Sequence, residues 1–188
     1  MEYKERPIIM TGDSVRAILG GRKTQTRRVI KPQPTAVDEM YGPNKYWLKM
    51  DTYTITEHHC PYGRVGDRLW VRETWHHAGP ERTPGYVSYR ADGEFMEYYK
   101  KQGYKWRPSI FMPRWASRLT LEVVSVRVER VQEISSKDAI AEGVEYDVSK
   151  PGGWPVDRFA FLWDKINGKR GYSWDSNPFV WVIEFCKV

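Results

Sequence analysis

The sequence predicts an α+β domain of mixed strands and three short helices around a small, partly closed barrel, and three observations carry that prediction. The strongest strand signal, residues 118–131, alternates through Leu119, Leu121 and Val123 and then shifts parity to Val124, Val126 and Val128, as a bulged or bent strand does. Three separate segments carry helical caps or helical spacing. The remaining length is rich in turn formers, with no internal repeat, low-complexity tract or linker that argues for two domains. A chain of 188 residues then fits one domain, residues 1–188, with loop-rich insertions at about 31–66 and 79–115.

Taken in order, residues 7–10 read as a short buried strand, and Thr11 or Asp13 caps a helix whose apolar face is Val15, Ile18 and Leu19. Gly20 and Gly21 stop that helix, which leaves Arg22 and Lys23 where its C-terminal partial charge favours cations. Residues 24–30 form a strand with Thr24, Thr26 and Arg28 on one face and Gln25 and Arg27 on the other. Lys23 has the wrong parity for Thr26, so the two converge on one ligand only if Lys23 belongs to a turn or bulge.

The first insertion holds a short hairpin near residues 46–55, and Gly66-Asp67 turns the chain into an alternating strand over 68–75, with Leu69, Val71 and Glu73 on one side. The second insertion has a strand at 86–90 and decorates the same face as the first. Ser135-Ser136-Lys137-Asp138 is a capping box opening a helix that Gly143 closes. A last helix, 156–166, presents Phe159, Leu162, Trp163 and Ile166, with Pro155 in its first turn and Asn167-Gly168 at its end. The chain finishes in an apolar strand, 179–187, broken only by Glu184.

A net charge of +6, with a dense basic run over 22–31, makes nucleic acid or nucleotides natural partners. Nine Trp and twelve Tyr, many beside cations as in Tyr104-Lys105-Trp106-Arg107 and Arg114-Trp115, can stack bases. The competing account is a β-rich core that buries aromatics and lets Lys and Arg snorkel beside them. Tyr62, Trp70, Trp75 and Trp115 are the stacking candidates, and Glu73 beside Arg72 is placed either to read a base edge or to form a cross-strand salt bridge.

Other classes find no support. Cys60 and Cys186 are too few and too far apart for a disulfide framework, and no apolar stretch approaches the ~20 residues of a membrane span. The first six residues lack the apolar core of a secretory signal, so a reduced cytoplasmic location is expected, with no membrane partner. His58-His59-Cys60 and His76-His77 match no standard zinc spacing, and no P-loop, G-x-G-x-x-G or G-x-S-x-G is present, so neither metal nor cofactor is implied.

The segment from Gly21 to Arg28 reads G-x-K-x-x-T-x-R. Bottom-up, it is either helix capping followed by a solvated basic strand, or an anion-facing turn with a nucleophile in it. The pattern resembles the signature of the ASCH (activating signal cointegrator homology) family, whose usual form has Glu where this chain has Thr26. A small bacterial branch, similar to N(4)-acetylcytidine amidohydrolase, also carries Thr there. The resemblance extends through the Gly-Asp turn, the long strand, the Ser-capped helix and the final Val-Ile-Glu-Phe strand, and it is similar to longer phage-encoded members with inserted Trp-rich loops.

That resemblance implies a PUA-like β-barrel with a cleft for RNA or a modified nucleoside. It also implies a catalytic trio of Lys23, Thr26 and Glu142, with Glu145 a competitor for the carboxylate. Such a trio performs acyl transfer on a non-peptide amide: Thr26 attacks the carbonyl, Lys23 takes its proton, and the carboxylate orients the lysine or protonates the leaving amine. Desolvation and the neighbours Arg22, Arg27 and Arg28 would lower the lysine pKa, and the same guanidiniums can hold a phosphate or oxyanion. Two rivals are a non-catalytic RNA-binding module and a phage accessory or assembly protein whose Trp-rich insertions form a protein interface.

Overall fold

The computed structural model describes residues 3–38, 46–49, 55–79, 84–93, 101–103 and 105–188. Its centre is a five-stranded mixed sheet made from β1 (Glu5–Ile9), β2 (Gln25–Val29), β6 (Arg68–Arg72), β9 (Thr120–Arg130) and β10 (Phe179–Lys187), in the order β1-β6-β9-β10-β2. The β1–β6 pair is parallel and the others are antiparallel. With α1 (Gly12–Leu19), α2 (Ser136–Ala141) and α3 (Pro155–Asn167), the class is α+β.

The predicted bulge is present. Ser125 of β9 opposes Glu184 and Val123 opposes Phe185, which leaves Val124 as the extra residue, half of its surface in solvent. The expected strand over 68–75 is instead two pieces, β6 and β7 (Trp75–His77), because Glu73 between them is buried and turned to Arg118.

Within the first insertion, β3 (Ala36–Asp38), β4 (Tyr46–Lys49) and β5 (Ile55–His58) make a small antiparallel sheet. The β4–β5 pairing is the expected hairpin, whose connecting turn lies outside the described residues, as does Tyr104 of the basic aromatic run. The second insertion supplies β8 (Val87–Tyr89), paired with β7.

The sheet buries both faces. Trp181, Ile183 and Phe185 pack with Ile8, Val15, Ile18, Leu69 and Leu121, while Val180 and Val182 pack on the other side with Ala139, Phe159 and Trp163 of the two later helices. A satellite cluster of Trp75, Met112 and Ala116 lies under the second insertion. No helix among the described residues is long and apolar enough to cross a membrane.

The two outer strands, β1 and β2, are far apart in sheet order, yet both line one cavity of about 1210 Å³. Arg28 of β2 reaches across to donate to the Ile9 carbonyl of β1 at 2.7 Å, a side-chain link between the two outer strands, and no β1–β2 pairing closes the described strands into a barrel.

Candidate active site at the sheet seam

The site begins with the stop of α1. Gly20 ends the helix, Gly21 takes a left-handed φ of 71°, and the N–H groups of Arg22 and Gly21 bond the carbonyls of Ala17 and Ile18 at 2.8 and 3.0 Å. This is the Schellman arrangement, in which a residue without Cβ reverses the chain at little cost. It leaves Lys23 in a single bridge with Glu142, outside β2, which is how a residue of the wrong parity reaches the same cavity as Thr26.

Glu142 is placed by the second predicted cap pair. Ser135 Oγ accepts from the Asp138 N–H at 3.1 Å at the start of α2, and Glu142 is the C-cap, followed by Gly143 at φ 81°. A Cβ on Gly143 would sit 2.8 Å from Ala17 Cβ and 2.9 Å from Lys23 Cβ, so only glycine lets α2 come this close to the α1 turn. The Thr24 N–H then takes the Ala141 carbonyl at 2.9 Å, one of those a helix end leaves unpaired.

Lys23 Nζ donates to Glu142 Oε2 at 2.6 Å and to the Glu142 backbone carbonyl at 2.8 Å, with both side chains almost fully buried. Arg27 approaches the other carboxylate oxygen at 3.3 Å and Glu129 at 3.0 Å. Burial pushes the Lys23 pKa below its ordinary value, the Glu142 carboxylate opposes that, and Arg28 and Arg27 reinforce it. A neutral amine has two hydrogens, and Glu142 offers an acceptor for each, which leaves the nitrogen lone pair free.

On β2, Thr26 opposes Ile183 and Arg28 opposes Trp181, while Arg27 opposes Val182 on the other face. The predicted alternation of Thr26 and Arg28 against Gln25 and Arg27 is therefore present. Gln25 is fully buried and donates to Asp138 at 2.9 Å, tying β2 to α2.

Of the residues the sequence singled out, Lys23, Thr26, Glu142, Arg27, Arg28, Arg72 and Tyr62 line the cavity. Arg28 lies over the Tyr62 ring at 5.9 Å, and its pKa is lowered by burial. Arg22, Trp70, Glu73, Trp75 and Trp115 lie outside the lining. Arg22 is exposed and 3.6 Å from Glu145, whose carboxylate faces solvent, so of the two competing carboxylates it is Glu142 that meets Lys23. Glu73 forms a two-pronged pair with Arg118 at 2.9 and 3.1 Å, and its pKa is raised by burial against the pull of Arg118. Trp70 is buried beneath Arg72, and Trp75 and Trp115 stack edge-on in the satellite cluster.

The lining also contains residues that sequence reasoning passed over, among them Arg90, Arg170, Tyr172 and Trp181. Trp181 was legible only as an apolar position of the last strand, and the others carry no local pattern beyond being basic or aromatic. Both insertions reach the cavity, the first through Lys31 and Tyr62 and the second through Arg90 and Ser109.

No family model matches the chain, and no curated protein matches it. It is similar to the crystal structure of protein EF3133 from Enterococcus faecalis V583, of family model DUF984. The identity is 10%, the match covers 100% of this chain and 82% of that one, and the TM-score is 0.43. A TM-score below 0.5 defines no shared fold, and the functional reading rests on the site.

Proposed function

We propose that this chain is an ASCH-type domain with a PUA-like barrel, and that its seam cavity hydrolyses the acyl amide on the exocyclic nitrogen of an acylated cytidine. The observation that carries the reading is the buried Lys23, whose Nζ donates to both the carboxylate and the backbone carbonyl of Glu142, on the wall it shares with Thr26. In the first half-reaction Thr26 Oγ bonds to the amide carbonyl carbon while its proton passes to Lys23 Nζ. Collapse breaks the C–N bond, the leaving nitrogen takes that proton, and the acyl group stays on Thr26 as an ester. Water then cleaves the ester, so amide and water become cytidine and carboxylic acid. Glu142 is the positioning carboxylate, and Arg28 is the donor for an oxyanion or a phosphate.

The test is chromatographic conversion of N(4)-acetylcytidine to cytidine by wild type, Lys23→Ala and Thr26→Ala, each checked for a cooperative unfolding transition. Turnover by wild type that falls about 10²–10⁴-fold in both folded variants is the expected result. Folded wild type that leaves the amide intact sinks the hydrolase reading. The non-catalytic RNA-binding module would then stand, and the cations lining the same cavity, Arg28, Arg72, Arg90, Arg170 and Lys31, favour it over an assembly protein.

A further inference from the structure

The cavity wall carries five cations that have no carboxylate partner among the described residues: Arg28, Arg72, Arg90, Arg170 and Lys31. Other cations are matched: Arg27, also in the lining, by Glu129, Asp138 and Glu142, and, outside it, Arg118 by Glu73 and Asp92 and Arg127 by Glu129, Asp138 and Glu184. Arg28 and Arg72 each also keep a buried Nε with no hydrogen-bond partner. A buried donor left unmade is costly, and ligand oxygens are the natural acceptors for guanidinium forks.

Three of the five come from segments joined along one stretch of wall. Arg28 donates to the Ile9 carbonyl, the Met10 N–H bonds the Arg72 carbonyl at 3.0 Å, and the Arg90 N–H bonds the Thr74 carbonyl at 2.9 Å. The chain runs from Met10 straight into the capped start of the eight-residue α1, whose Thr11, Gly12 and Ser14 also line the cavity. The first N–H groups of a helix lack intrahelical partners and favour anions. Asp13, the one carboxylate at that turn, is already tied to Arg16.

We infer that this wall, Arg28, Arg72 and Arg90 around the start of α1, is a phosphate subsite, so that the ligand is a phosphorylated nucleoside and not a free one. The base identity rests on the acylcytidine reading, whereas the phosphate does not. The phosphate comes either from a mononucleotide or from a strand.

The experiment is calorimetric binding of cytidine, its 5′- and 3′-monophosphates and a short cytidine-containing oligoribonucleotide, at about 50 and 200 mM salt. It is run on wild type, Arg90→Ala and a control, Arg64→Ala, which removes an exposed cation outside the cavity. A monophosphate binding at least about tenfold tighter than cytidine is expected, with the gain falling away as salt rises. Arg90→Ala brings that affinity down toward cytidine's, and Arg64→Ala leaves it in place. An oligonucleotide tighter again assigns the phosphate to a strand, and one weaker than the monophosphate assigns it to a free nucleotide. Equal affinities for cytidine and both monophosphates, no binding of either monophosphate, or the same loss in both variants would overturn the subsite. Acetylcytidine hydrolysis is followed in parallel: turnover without a phosphate gain removes the subsite and keeps the hydrolase, and the reverse result removes the hydrolase and keeps the subsite.

Discussion

Lys23 is held between burial, which favours the neutral amine, and Glu142, which favours the ammonium. Its folded pKa lies below the ordinary 10.5, so between the two values the unfolded chain binds the extra proton, and stability rises with pH through that window. Activity that needs the free lone pair rises in the same direction. The expected pH profile of kcat/KM therefore climbs on a group titrating below 10.5, and a profile flat across the neutral and alkaline range would remove Lys23 as the base. Glu142→Gln leaves Lys23 without its carboxylate and strips Arg27 of one of its three. Breaking such a buried pair costs about 3–5 kcal/mol near neutral pH. Because the amine can shed its proton, urea titrations should show the loss shrinking as pH rises. A loss independent of pH would mean that the ion pair is not its source.

At the scale of elements, two glycine-terminated helices make the site. Gly143→Ala forces a Cβ into left-handed backbone and against Ala17 and Lys23. Strain of about 1–2 kcal/mol from the backbone and about 1–3 kcal/mol from overpacking adds to a clear drop in thermal midpoint. Turnover should fall further than stability alone explains, since Glu142 moves with the turn. A variant as stable and active as wild type would show that the α1–α2 contact does not set the lysine. The Ser135 N-cap, the glycine stops at Gly21 and Gly143 and the alternation of β2 were all legible, because each depends on neighbours within a few residues, although Asp138 does not return the second bond of a capping box to the Ser135 backbone. The parity shift of β9 was legible for the same reason, although its meaning needed the partner strand: Val124 is extra only against Glu184 and Phe185 of β10.

For the whole molecule, the two cysteines occupy opposite environments. Cys60 is buried in the main core with its thiol pushed up to about 11, and Cys186 is exposed near the end of β10. At about pH 8 an aromatic disulfide reagent should modify one thiol per folded chain quickly and the second only on unfolding, since the thiolate is the reactive form. Rapid modification of both in the folded state would contradict the packing of Tyr62 and Gly63 around Cys60. Arg22, Trp70 and Trp75 are ligand-binding candidates from their chemistry, and Glu73 either a reader of a base edge or a salt-bridge partner. The fold places Arg22 in a surface pair with Glu145, Trp70 in a stack under Arg72, Trp75 in a satellite core and Glu73 in the second of its two roles, a buried pair with Arg118. By itself the sequence determined the main-sheet strands apart from the break after Arg72, the helix stops, and the basic character of the chain, because period, capping and charge are local properties. Only the tertiary structure decided that Lys23 meets Glu142 across 119 residues and that β1 and β2 close on one cavity. It also left Arg90 without a carboxylate partner among the described residues, since partners are set by which distant segments the fold brings together, and no local pattern encodes that.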